Sequence, residues 1–334
     1  MADIGIAATA VQAIHPVHAW GLELIRYVQG LDIPGGTGLA EAFTFFGDAT
    51  LYILILPVLF WCVDEKKGFR LALTVFVSNG INIALKETLR VQRPFYYDTS
   101  VKLSEQSGFS TPSGHSQNSA VFYPLLASLF LKKHILVAGG IALSFCIGLS
   151  RIYLGMHYPT DVLLGWALGA LIAATGFFAL PLAARAASKA ESGPLSGIIG
   201  SYRRHSAENP KSARTWKLAA AALVSLALSA FSAGDSSMSG LVFGFAAGYI
   251  LLTEKKPGTQ EHTFPFRASE GTLVKKLLRA LVGFAGLGAL YAGLKAVFPG
   301  DESAHYTLFR FLRYGLTGFW ASGAAPVLFL KMKL

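Results

Sequence analysis

The chain has 334 residues, 53% of them hydrophobic and only 14% charged, with a formal net charge of +10 and a mean hydropathy of +0.48. Soluble domains are roughly 45–50% apolar, so an ordinary soluble fold is excluded. The basic excess would suggest nucleic acid if it gathered on one soluble face, but it is spread over the loops between apolar runs.

Residues 1–38 form an N-terminal segment with no basic start, and its apolar stretch is broken by His15, Pro16 and His18. That pattern is not a cleavable signal peptide. Around Trp20, Leu24, Ile25 and Val28, with Glu23 and Arg26 interleaved, it reads as an amphipathic interfacial helix, the alternative being a marginal extra span.

A core follows over residues 39–183, with apolar runs near 43–63, 69–89, 116–131, 135–150 and 161–182. Residues 184–217 are polar and basic and contain Gly193-Pro194 and Asn209-Pro210, which marks a cytoplasmic linker facing anionic lipid headgroups. Residues 218–334 add runs near 218–233, 238–253, 277–298 and 310–330. A helix crosses a bilayer in about 20 apolar residues, and these runs lack the alternation of barrel strands. The expected fold is therefore all-α, a polytopic transmembrane helical bundle of about nine spans plus the N-terminal amphipathic helix. Cys62 and Cys146 fall inside spans and read as small buried hydrophobes. Gly240, Gly244 and Gly248 repeat at four-residue spacing, as do Ala285, Ala289 and Gly293. Both sets are close-packing faces, toward the rest of the chain or toward a second copy in a homo-oligomer.

Alternating the loops across the membrane puts 20 of the 29 basic residues on one side, among them Lys66, Lys67, Lys132, Lys133, Lys275 and Lys276. The positive-inside rule makes that side cytoplasmic. Lys86, Arg93, Arg151, His115, His157 and Asp161 then share the outer face, which in a bacterial inner membrane is the periplasmic one. Ionisable groups at membrane depth are costly and mark function by default.

Lys86 and Arg93 lie seven residues apart, within about 20° of one helix face, with Pro94 ending the helix. Thr111-Pro112 reads as an N-cap and first helical residue, which aims the backbone N–H groups of Ser113, Gly114 and His115 at an anion. Ser150-Arg151 closes one span, and His157 with Tyr158-Pro159-Thr160-Asp161 opens the next. Each piece alone has a plain structural explanation in snorkelling cations, a capped turn or an acid at a helix N-terminus. Together they supply what phosphate chemistry needs. Arginines fork onto nonbridging oxygens and a lysine adds a point charge. Neutral His157, oriented by Asp161, attacks phosphorus, and His115 serves as acid and then base. With no Cys/His cluster or carboxylate cage, a mechanism without a metal or other cofactor is expected.

The three motifs match Lys-x6-Arg-Pro, Pro-Ser-Gly-His and Ser-Arg-x5-His-x3-Asp at every defined position, in order. The chain thus resembles the type 2 phosphatidic acid phosphatase superfamily over roughly residues 43–183. The resemblance implies the roles just given, with Ser113 and Gly114 as further phosphate ligands. It also implies a core of six spans, one more than the five runs counted in residues 39–183, so the N-terminal segment is a candidate sixth. The expected activity is hydrolysis of a lipid phosphomonoester or diphosphate, undecaprenyl diphosphate being one specific candidate. Phosphotransfer by the same histidine is a second enzymatic reading, and a noncatalytic lipid-binding or transport bundle a third.

Overall fold

The computed structural model describes residues 15–176, 210–254 and 262–334, and no β-strand occurs among them. Lipid offers no hydrogen bonds to a backbone, so apolar runs of this length satisfy their N–H and C=O groups as helices. The first are α1 (Pro16–Gly30), α2 (Gly36–Phe46), α3 (Ala49–Cys62) and α4 (Glu65–Leu89). A short α5 (Pro94–Tyr97) leads through an irregular segment to α6 (Gly114–Leu126), α7 (His134–Tyr153) and α8 (Pro159–Ala174). The chain continues with α9 (Pro210–Ala230), α10 (Ser237–Leu252), α11 (Leu273–Val297), α12 (Tyr306–Phe319) and α13 (Ala325–Lys331). The expected basic linker over 184–217 lies outside the described residues as far as position 209.

Four stretches are long and apolar enough to cross a membrane: Gly36–Cys62, Glu65–Tyr97, His134–Tyr153 and Leu273–Val297. Pro159–Ala174 and Ser237–Leu252 are apolar but shorter. The expected nine spans are thus not reached on length and composition among the described residues. Interruptions inside the runs account for part of the difference. Asp48 restarts the helix between α2 and α3 by accepting from the Thr50 N–H at 2.7 Å. The first span accordingly begins at Gly36, earlier than position 43. Pro124 sits inside α6, which passes into a π-helical turn at Ala127–Leu131. A second π turn, Trp320–Ala324, joins α12 to α13. Proline removes a ladder donor and π turns widen the helix, so both divide a continuous run.

The N-terminal amphipathic helix is α1. It buries Gly21, Leu22 and Ile25 while Trp20 and Tyr27 stay exposed. Arg26 pairs with Asp98 at 2.7 Å, and His18 stacks on Tyr158 with ring centroids 4.7 Å apart. At 15 residues it is about 22 Å long, short of the roughly 30 Å hydrocarbon core. It packs instead against the α7–α8 connection.

The C-terminal helices dock on the first eight through apolar and polar contacts. Trp61 Nε1 of α3 donates to the Ala321 carbonyl at 2.7 Å. Phe69 of α4 stacks on Tyr249 of α10 at 3.7 Å. The buried Glu65 carboxylate accepts from the Ala268 N–H at 2.9 Å. The glycine face of α10 is used inside the chain, since a Cβ at Gly244 would lie 1.8 Å from the Gly315 carbonyl oxygen of α12.

Candidate active site

Lys86 stands on the last turn of α4, which ends where Arg90 adopts the left-handed conformation at φ 49°. Arg93 therefore does not share a helix face with Lys86, contrary to the sequence expectation. It is extended and caps α5. The two cations still converge, because one run of carbonyls collects both. Lys86 Nζ donates to the Phe109 and Ser110 carbonyls at 2.6 and 2.9 Å. The Arg93 guanidinium donates to the carbonyls of Gly108 at 2.8 Å, Met156 at 2.9 Å, Ser107 at 2.9 Å and Phe109 at 3.1 Å. Arg93 is 1% exposed, and all these partners are neutral.

Arg151, in the last turn of α7, is 2% exposed. It donates to the Thr44 hydroxyl at 2.5 Å and the Gln106 amide oxygen at 2.6 Å. Its Nε is buried without a hydrogen-bond partner among the described residues. No carboxylate pairs with any of the three cations within ion-pair distance among the described residues. Each therefore retains capacity for an anion.

The helix cap falls at Ser113, two residues later than the Thr111-Pro112 reading. Ser113 Oγ accepts from the Ser116 N–H at 3.4 Å and the Ser116 hydroxyl at 2.9 Å. Its side chain is thereby committed to the cap, and Gly114 and His115 become the first two helical residues. Their N–H groups belong to the first turn, which has no intrahelical acceptors. A Cβ at Gly114 would meet the Asn82 amide oxygen at 3.0 Å.

His157 lies in the turn before α8 and is 2% exposed. Arg93 Nη1 approaches its Nε2 at 3.1 Å. A guanidinium can only donate, so Nε2 accepts and the ring proton resides on Nδ1. Nδ1 faces Asp161 Oδ2 at 3.4 Å and Ser110 Oγ at 3.3 Å. Burial holds His157 well below the usual imidazole pKa, outweighing the Asp161 hydrogen bond that acts in the opposite direction. The ring is therefore neutral near pH 7, with its unprotonated nitrogen on the Arg93 side.

Asp161 does more than face the histidine. Its Oδ2 accepts from the Ser110 hydroxyl at 2.5 Å and the Tyr158 N–H at 2.9 Å, and its Oδ1 accepts from the Thr111 hydroxyl. Asp161 thus caps the backbone N–H of Tyr158 at the start of α8 and ties the Ser110-Thr111 segment to it.

A cavity of about 770 Å³ opens at this place. Lys86, Arg93, Gly114, His115 and His157 line it, together with Gln106 and Asn82. Arg151, Ser113 and Asp161 do not line it. Arg151 stands one residue behind, through Gln106. The sequence reading missed Ser110, Gln106 and Thr44, whose only signal was their neighbourhood to the motifs, and it took Thr111 as a helix cap where the structure makes it a partner of Asp161. Asp48 serves as a helix cap and Asp98 as the anchor of α1.

Comparison with known proteins gives consistent matches. The family model of the PAP2 superfamily matches residues 67–184, and that of the PAP2 superfamily phosphatase transmembrane extension matches residues 236–334. Phosphatidylglycerophosphatase B of Bacillus subtilis is 36% identical over 133 residues, which are 36% of this chain and 62% of that protein. Decaprenylphosphoryl-5-phosphoribose phosphatase of Mycobacterium tuberculosis is 30% identical over 147 residues, covering 43% of this chain and 80% of that protein. The crystal structure of a transmembrane PAP2 type phosphatidylglycerolphosphate phosphatase from Bacillus subtilis aligns with a TM-score of 0.43 at 26% identity. That alignment covers 49% of this chain and 86% of the other.

Proposed function

The chain belongs to the PAP2 superfamily, and on that footing we propose that it hydrolyses a lipid phosphomonoester or diphosphate through a phosphohistidine intermediate. The observation that carries the reading is the charge balance of the site. Lys86, Arg93 and Arg151 are held by neutral groups, Arg93 against a neutral histidine, and the carboxylates closest to them, Asp161 and Asp48, are occupied by other donors. A phosphate dianion completes that arrangement, and its oxygens take over donors now spent on carbonyls.

In the first step His157 Nε2 attacks phosphorus, the N–P bond forms and the P–O bond to the lipid breaks. His115, on the cavity wall, is protonated when the phosphate dianion is bound beside it and delivers that proton to the departing oxygen. Asp161 and Ser110 keep the Nδ1 proton in place and stabilise the positive ring that results. In the second step His115 takes a proton from water, the water oxygen attacks phosphorus, and the N–P bond breaks to release inorganic phosphate. Because Arg93 Nη1 lies against Nε2, a phosphate oxygen on that guanidinium brings phosphorus beside the nucleophile.

The names of the two curated relatives support a lipid carrier of the phosphate. The basic loops favour a bacterial inner membrane with the site on the periplasmic side. The same reading puts anionic headgroups against the linker over 184–217. The Ala285, Ala289 and Gly293 face remains the candidate for self-association.

The test is phosphate release by purified protein in detergent, over a panel of lipid monophosphates and polyprenyl diphosphates. His157→Ala is expected to reduce turnover at least 10³-fold while membrane insertion is retained, a loss in the range of removing a covalent nucleophile. Substantial turnover in His157→Ala would remove the nucleophile assignment, and absence of turnover in the unaltered protein over the whole panel would remove the reaction itself.

A further inference from the structure

The cavity that holds the catalytic histidine does not end at the phosphate site. It continues along α3 from Ala49 to Phe60 and along α4 from Lys86 to Ala72. At 1.5 Å per residue both helices give a depth of about 17–21 Å into the bundle. Asn79, Asn82 and Asn118 occur toward the catalytic end, and the remaining wall is mostly apolar, with Tyr52, Tyr291, Tyr314 and Thr317 as its hydroxyl-bearing members. Its volume, about 770 Å³, lies within the roughly 300–1,000 Å³ of sites that enclose one small ligand.

The far wall belongs to the C-terminal helices. Leu241 and Phe245 of α10, Leu287, Gly288 and Tyr291 of α11, and Thr317 of α12 all face this cavity. Those helices carry no residue of the three motifs, yet they are locked to α3 and α4 through Trp61, Phe69 and Glu65. We propose that the C-terminal helical block is part of the substrate site, forming the wall of a chamber that receives the apolar chain of the lipid whose phosphate is bound at Lys86, Arg93 and His157. The proposal rests on the phosphatase reading for the head and adds the determinant for the tail. The occupant follows from continuity. A chamber that is cationic and polar at one end and mostly apolar over the rest of its depth of about 17–21 Å complements an amphiphile with one anionic head.

Gly288 allows a direct test. Gly288 lines the chamber and a Cβ placed there meets nothing within 4 Å, so a larger side chain has open space where it starts. Gly293, on the same helix and outside the chamber wall, has equally open space around a Cβ and serves as control. The probes are octylphosphonate and hexadecylphosphonate, which carry a phosphate-like head and cannot be hydrolysed. Their dissociation constants are measured on full-length protein in detergent at fixed micellar mole fraction. The unaltered protein is expected to favour the longer chain at least ten-fold, Gly288→Phe to lose that preference, and Gly293→Phe to keep it.

Equal preference in the unaltered protein, or an undiminished preference in Gly288→Phe, overturns the proposal. A preference lost equally in Gly293→Phe also overturns it, since the effect then lies outside the chamber. Binding is read without turnover, so the chain-length result and the phosphate-release panel fail separately.

Discussion

At the scale of single residues, the proposed role of His157 rests on neighbours that define its proton. Arg93 can only donate, which commits Nε2 to accept, while Asp161 and Ser110 lie on the Nδ1 side. Burial holds its pKa well below the usual imidazole range. The sign for stability follows from proton counting. Below about pH 6.5 the unfolded chain binds a proton that the folded site refuses, so the folded state loses stability as pH falls from there toward the lower folded pKa. Tm measured in detergent from pH 7.5 to 5 should therefore fall more steeply for the unaltered protein than for His157→Gln, which has no titrating ring. Parallel slopes would mean that His157 titrates as it does in the unfolded chain. The pairing of His157 with Asp161 was legible from their spacing and from the proline between them. The bonds of Ser110 and Thr111 to Asp161 were not, since hydroxyl residues carry no distance pattern until the irregular segment brings them beside a carboxylate 51 and 50 residues away in sequence.

At the scale of elements, the site depends on how closely α6 and α8 approach. A Cβ at Gly169 would lie 2.4 Å from the Gln117 carbonyl oxygen, and one at Gly165 would lie 2.7 Å from that of Ser113. That approach sets His115, at the start of α6, relative to His157 and Asp161, at the start of α8. A buried polar network fastens α6 to α4 on its other side. Asn82 Nδ2 donates to Gln117 Oε1 at 3.0 Å, and Gln117 Nε2 donates to the Ser78 carbonyl at 2.8 Å. Gly169→Val should force the two helices apart at a cost of about 1–3 kcal/mol, lowering both Tm and turnover. Gly139→Val, where a Cβ meets nothing within 4 Å, should change neither, and equal behaviour of the two variants would refute the spacing argument. Helix identity was readable in advance because hydrocarbon leaves the backbone no other solution. The ends were less so. The break at Gly47-Asp48, the cap at Ser113 and the left-handed Arg90 depend on single side-chain and backbone contacts that hydropathy does not register.

At the scale of the whole molecule, charge is segregated along the bundle axis. The site cations lie at one end, near the start of α6 and the α7–α8 connection. Lys66 and Lys67 at the start of α4, whose other end carries Lys86, and Lys132 and Lys133 between α6 and α7 mark the opposite end. The chamber runs between the two ends, so a lipid bound as proposed points its chain toward the basic face and keeps its phosphate at the opposite surface. If the positive-inside rule governs this chain, that surface is extracytoplasmic. Single cysteines at Glu105 and Lys132 test the orientation, because both positions are exposed and they lie at opposite ends of the bundle. The native Cys62 is buried and Cys146 half-buried, so both are first replaced by alanine to remove their background. In right-side-out membrane vesicles a membrane-impermeant maleimide should label Glu105→Cys and not Lys132→Cys, and in inverted vesicles the pattern should exchange. The reverse pattern would place the phosphate site at the cytoplasmic face and require a substrate presented from the inner leaflet.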